Sequence, residues 1–134
     1  MKALLVGMHF RPPAKLVLEE LPKGTALKLD PEPENPHDSQ AVKVLWTVQA
    51  EALPSDEVLI GSGSSQSDLL DRGDLQLGYL AREGNKDLTR LKASGLTMSS
   101  ASEVLSLMTG CPAHSASLLW GPNGEALVEV QEND

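Results

Sequence analysis

Glu32-Pro33-Glu34-Asn35-Pro36-His37-Asp38-Ser39-Gln40-Ala41-Val42-Lys43-Val44 decides how this chain is read, because a proline-punctuated polar turn runs straight into an apolar strand. Pro33 and Pro36 each push the preceding residue away from helical dihedrals, so Glu32 and Asn35 are expected to be extended and the loop stiff. Asn35-Pro36 is a turn-initiating pair, and the Asp38 carboxylate can accept hydrogen bonds from backbone amides one or two residues on. Ala41, Val42, Lys43 and Val44 then alternate as a strand does.

Working outward, residues 2–10, 15–21, 25–29 and 40–46 read as four strands, with Pro12-Pro13 and Pro22-Lys23-Gly24 as connectors. Periodicity is lost over residues 51–76, which hold Gly61-Ser62-Gly63-Ser64-Ser65-Gln66-Ser67. That composition predicts a flexible, acidic insert with a mobile tip, a hairpin extension in which residues 57–60 add a strand. Over residues 82–93, Leu88 and Leu91 stand three apart among Lys86, Arg90 and Lys92, and Gly95 follows where a C-terminal cap falls, which predicts a short amphipathic helix. Beyond it, Val104, Leu105, Leu107 and Met108 continue the alternating apolar pattern. Residues 117–120 and 126–130 then flank Gly121-Pro122-Asn123-Gly124, a hairpin signal. The expected fold is mainly β: a barrel or half-barrel of OB-like or SH3-like size with one or two short helices, residues 1–134 forming a single domain.

With 134 residues the chain is long enough to bury a core without disulfide support, and its lone Cys111 cannot form an internal bridge. A reduced, intracellular setting is expected. The apolar run over residues 1–6 is too short for a signal peptide, and no run approaches the roughly 18 residues of a membrane span, so a soluble, cytoplasmic protein is expected. Net charge is −8, the wrong sign for a generic DNA binder, because phosphate neutralisation by Lys and Arg supplies most non-specific affinity. The charges are unevenly spread: residues 1–29 carry five basic and two acidic side chains, residues 77–100 four and two, and residues 51–76 one and six. Negative charge thus collects in the insert and in the last ten residues, where four acids stand without a base.

The Glu32 to Val44 stretch resembles the HIRAN domain, whose core has the form EP-x-NP-x-D-x-x-A-(V/I)-x-V. Glu32, Pro33, Asn35, Pro36, Asp38, Ala41, Val42 and Val44 match it in spacing. Two further blocks follow the family's order. Val6-Gly7-Met8-His9-Phe10 is similar to its opening strand, and Leu77-Gly78-Tyr79-Leu80-Ala81-Arg82-Glu83 to its GYL-x-(R/K)-E block. The resemblance spans most of residues 1–95 and implies a small β-barrel that binds nucleic acid, with single-stranded DNA held at its 3′ end. By position it implicates His9, Phe10, Asn35, Pro36, His37, Asp38 and Tyr79 in gripping that end, with Arg11, Lys43 and Arg82 as phosphate neighbours. Phe10 and Tyr79 are expected to stack on bases, since π-faces and polar donors together hold strand ends; packing in the core is the rival role for both. Asp38 either accepts the hydrogen bond of a terminal ribose hydroxyl or serves only as a turn cap. His37 departs from the family's usual tyrosine, which weakens stacking and adds a pH-dependent cation.

Catalytic chemistry is not expected. His9, His37 and His114 stand far apart with no nucleophile elbow nearby, His37-Asp38 lack metal-ligand spacing, and Gly61-Ser62-Gly63 lacks the phosphate-loop pattern, so neither enzyme, metal site nor cofactor is predicted. Two functions remain. One is a single-stranded DNA end-binding module, accessory to repair, replication or restart. The other is a protein-interaction module, such as a phage or mobile-element inhibitor whose acidic insert or tail engages a host nucleic-acid-processing protein. The three matching blocks favour the first and the charge favours the second.

Overall fold

In the computed structural model, which describes residues 1–111 and 113–133, six antiparallel strands close a barrel in the order β1-β4-β3-β2-β5-β6. They are β1 (Lys2–Val6), β2 (Ala26–Pro31), β3 (Val42–Thr47), β4 (Asp74–Leu80), β5 (His114–Trp120) and β6 (Ala126–Glu132). The barrel is filled by inward side chains, among them Leu5, Val42, Val44, Trp46, Leu77, Leu118 and Val128, all buried. The expected hairpin is present. Gly124 takes φ +86 in the turn, Gly121 N–H donates to the Glu125 carbonyl, and β5 pairs with β6 from His114–Glu132 to Trp120–Ala126.

Five α-helices decorate the barrel among the described residues, more than the one or two expected: α1 (Pro12–Glu20), α2 (Asp56–Leu59), α3 (Gln66–Arg72), α4 (Lys86–Ala93) and α5 (Ala101–Gly110). Three of them correct the sequence-based expectations. Residues 15–21 lie largely in α1 rather than in a strand. Pro12 and Pro13 sit at the first helical positions, where no N–H partner is needed, and Ala14, Val17, Leu18 and Leu21 are buried at the i, i+3, i+4, i+7 spacing. The continuous apolar run Leu16-Val17-Leu18 hides that period. Residues 57–60 do not form a strand: α2 covers Asp56–Leu59, and Leu59 enters the core. The run Val104 to Met108 is helical too, because Ser100 and Glu103 form a capping box that starts α5.

The opening strand is also shorter than residues 2–10. Gly7 turns the chain with φ +87 after β1, and a 3-10 turn over Met8–Phe10 follows. The helix predicted over residues 82–93 begins at Lys86, with Asn85 as N-cap accepting from the amides of Asp87 and Leu88; Gly95, at φ +101, ends it. A second cluster of Leu4, Ala81, Leu88, Leu91, Met98 and Leu127 fastens α4 to the outside of the β1–β6 wall. No helix among the described residues is long and apolar enough to cross a membrane.

Candidate nucleic-acid interface

The loop between β2 and β3 is folded by its own side chains. Asn35 Oδ1 accepts from the amides of His37 (2.9 Å) and Asp38 (3.2 Å), and Asp38 Oδ1 accepts from the Gln40 amide (3.0 Å). At its root the Glu32 N–H donates to the Ala41 carbonyl (2.9 Å), so the loop closes like a clasp. Asn35 and Asp38 are half-buried, while Pro36 and His37 are exposed at the tip. The Asn-Pro-x-Asp spacing therefore acts as a geometry device: two side-chain acceptors satisfy the amides that a proline-rich turn leaves without ladder partners.

Opposite the loop stands the seam between β1 and β4, where Val6 pairs with Tyr79 and Leu5 with Leu80. Gly78 is required there, because a Cβ on it would run into the Val6 carbonyl oxygen. Close approach of the two strands sets the half-buried Tyr79 next to the loop, and Lys43 is its cross-strand neighbour on β3. The turn after β4 then brings Arg82 over the loop, with Nε 3.6 Å from Asp38 Oδ2.

Between these parts lies a cleft of about 620 Å³, lined by five of the ten residues singled out from the sequence: Asn35, His37, Asp38, Tyr79 and Arg82. Two depressions share its walls. One, on the side of Asn35 and Tyr79, adds Glu32, Pro33, Glu34 and Pro36. The other meets the cleft at Val6 and Asn85 and runs past His9 to Arg90. The three adjoin one another through the shared residues Val6, Asn85, Asn35 and Tyr79. Phe10 lies beyond the groove lining, at the end of the 3-10 turn, 79% exposed and with its ring centroid 4.0 Å from that of His9. A buried role for it is thereby excluded. Arg11 is exposed beside it at the start of α1.

Lys43 is held differently. Its Nζ is 3.4 Å from Asp30 and 3.6 Å from Glu32, and the side chain is only 24% exposed. Glu32 is kept below the ordinary carboxylate range by the Tyr79 hydroxyl first, then by the Asn35 amide and Lys43, against the opposing effect of burial. The sequence motif includes Glu32 but does not reveal it as a meeting point. Asn85, which lines both cleft and groove, also went unmarked; the signal for it is the helix-starting Gly84-Asn85 pair. Among the described residues no cluster of three or more His, Cys, Asp and Glu side chains is placed to hold a metal ion.

These features are those of a barrel that presents a polar cleft with one aromatic wall. The family model of the HIRAN domain matches residues 2–104, and the chain belongs to that family. HIRAN domains are DNA-binding modules, which supports a nucleic-acid partner for this one. No curated protein and no solved structure matches the chain. The matched span holds β1 to β4 but not β5 and β6, the hairpin that closes the barrel here.

Proposed function

We propose that this chain is a non-enzymatic, cytoplasmic module of a bacterial or phage system that binds single-stranded DNA at its 3′ end, as an accessory to repair, replication or restart. The observation that carries this reading is the convergence of Asn35, His37, Asp38, Tyr79 and Arg82 on one cleft. Asp38 has one oxygen committed to the Gln40 amide and the other turned toward Arg82. A terminal ribose hydroxyl can donate to that carboxylate, whereas a terminal phosphate sets two anions against each other. Tyr79 offers a face for a base, and Arg82, exposed above the cleft, can turn to the phosphate that follows. A cleft with so few free cations suits an end better than a long backbone, since each neutralised phosphate needs a base.

Fluorescence anisotropy with two oligonucleotides that differ only in a 3′ hydroxyl or 3′ phosphate tests the reading. A hydrogen bond to a charged group, worth about 1.5–3 kcal/mol, corresponds to a preference of roughly tenfold or more for the hydroxyl. Equal affinity overturns end recognition. A second reading rests on a different observation: Val58, Ile60 and Leu70 are exposed apolar side chains in the segment of six acids and one base over residues 51–76. That pairing of greasy and acidic surface suits a basic protein partner. Failure of both oligonucleotides to bind favours it over the first.

A further inference from the structure

Three of the candidate site residues, Asn35, Lys43 and Tyr79, converge on Glu32, which was not one of them. Asn35 Nδ2 donates to Glu32 Oε1 at 3.3 Å, Lys43 Nζ stands 3.6 Å from Glu32 Oε2, and Tyr79 lines the same depression as Glu32 and helps to hold its carboxyl below the ordinary range. The fold makes this meeting unavoidable. Glu32 follows directly on β2, whose Asp30 pairs with Lys43 of β3, while Lys43 in turn faces Tyr79 of β4. The Asn35 amide also donates to the Glu32 carbonyl at 3.0 Å, so the side chain and the backbone of Glu32 both hold the loop.

We propose that Glu32 is a positioning residue that sets the specificity of the cleft: it orients Asn35 and the Tyr79 phenol toward the strand end and withholds Lys43 from the phosphates. The proposal rests on the end-binding reading above. Tyr79 faces Lys43 across the strands and shares a depression with Glu32, so the carboxylate stands where it can restrain the phenol and with it the plane on which a base stacks. A lysine clamped between Asp30 and Glu32 has its charge already matched. It gives little attraction to a passing backbone, and a cleft that attracts backbones weakly discriminates ends better. Glu32 thus exchanges general affinity for selectivity.

The test compares wild type, Glu32→Gln, Lys43→Met and the double variant, each confirmed folded by thermal melting. Binding is read by anisotropy on hydroxyl-ended and phosphate-ended oligonucleotides over a salt series. In wild type, Lys43→Met is expected to leave the salt slope unchanged. Glu32→Gln is expected to lose most of the hydroxyl preference and to steepen the slope by about 0.7, the value for one added phosphate contact on a single strand. The double variant should lose that added slope. Tyr79 is the only tyrosine of the chain, so a carbon-13 tyrosine label gives one ring signal, which Glu32→Gln should move without DNA present. A Tyr79 signal that stays in place, or a slope that drops on Lys43→Met in wild type, overturns the proposal. A wild-type end preference that survives Glu32→Gln overturns the proposal alone, whereas a wild type with no end preference overturns the reading on which it rests.

Discussion

Two polar stretches lie between consecutive strands of this barrel, residues 32–41 and residues 50–73, and they keep their shape by opposite means. The first is tied by bonds within itself: Asn35 to the amides of His37 and Asp38, Asp38 to that of Gln40, and Glu32 to Ala41. The second is tied by what it buries elsewhere. Leu59 of α2 and Leu69 of α3 are both 0% exposed and belong to the same core as Val44, Trp46 and Leu77 of the barrel wall. The contrast shows that a loop can be rigid because of its residue types or because of where two leucines land. Local order of the first kind is legible in a sequence; order of the second kind depends on contacts with residues far along the chain.

Substitution at the two anchors tests the contrast at its largest. Leu69→Ala removes a fully buried side chain and is expected to cost about 2–5 kcal/mol in urea unfolding. Asn35→Ala, which frees two amides at a partly open site, should cost about 0.5–2 kcal/mol, the range of a lost cap. Replacing residues 53–74 by a Gly-Ser linker should leave the barrel unfolded, since Leu59 and Leu69 go together. Their burial ties to the core a segment whose composition predicts a flexible insert. A folded, stable deletion variant would show instead that the barrel closes without them.

The exposed apolar residues sharpen the same comparison at smaller scale, since each region has one near it. Phe10, beside the cleft, is 79% exposed, and Ile60, on the acidic segment, is 74% exposed. Neither holds the fold, so alanine at either position should leave the melting temperature where it was. Phe10→Ala should weaken single-strand binding by about 1–3 kcal/mol, the worth of one stacked base, and Ile60→Ala should not change it. An equal loss for both would place the DNA path across the acidic segment, against its charge.

Much of the candidate site was legible because its residues act where they stand in the sequence. The Asn35-Pro36-His37-Asp38 turn, the Gly78-Tyr79 pair and the strand from Val42 all have local physical signatures, and the hairpin at Gly121-Pro122-Asn123-Gly124 is equally local. The helices were harder. Over residues 15–21 a continuous apolar run at Leu16-Val17-Leu18 masks a buried stripe that only the core defines, and α2 is too short for a helical period to show. The start of α5 was readable from Ser100 and Glu103 as a capping box, a signal outweighed by the apolar run behind it. Glu32 stayed hidden for another reason: its partners Lys43 and Tyr79 meet it only through strand register.

Acid should expose the smallest difference, and it belongs to the proline loop. The Glu32 carboxylate is held below its ordinary value by the Tyr79 hydroxyl, then by Asn35 and Lys43. A carboxylate with a depressed folded value contributes stability that is fully present above its unfolded value, about 4.5, and is lost as the pH falls through the lower folded one. Wild-type stability should therefore decline below about pH 4.5, and Glu32→Gln, which has no proton to take up there, should decline less steeply. Partly exposed pairs of this kind contribute about 0–1 kcal/mol, so urea midpoints across closely spaced pH values are the suitable measurement. Glu103 supplies the control, since the Ser100 amide and then the Ser100 hydroxyl lower it at the start of α5, away from the cleft. Glu103→Gln should flatten the acid limb by a similar amount while leaving the tyrosine signal unmoved; Glu32→Gln should flatten the limb and move the signal. If Glu32→Gln leaves the acid limb unchanged, the loop is held by Asn35, Asp38 and the backbone bonds of Glu32, and the carboxylate charge adds nothing to its stability.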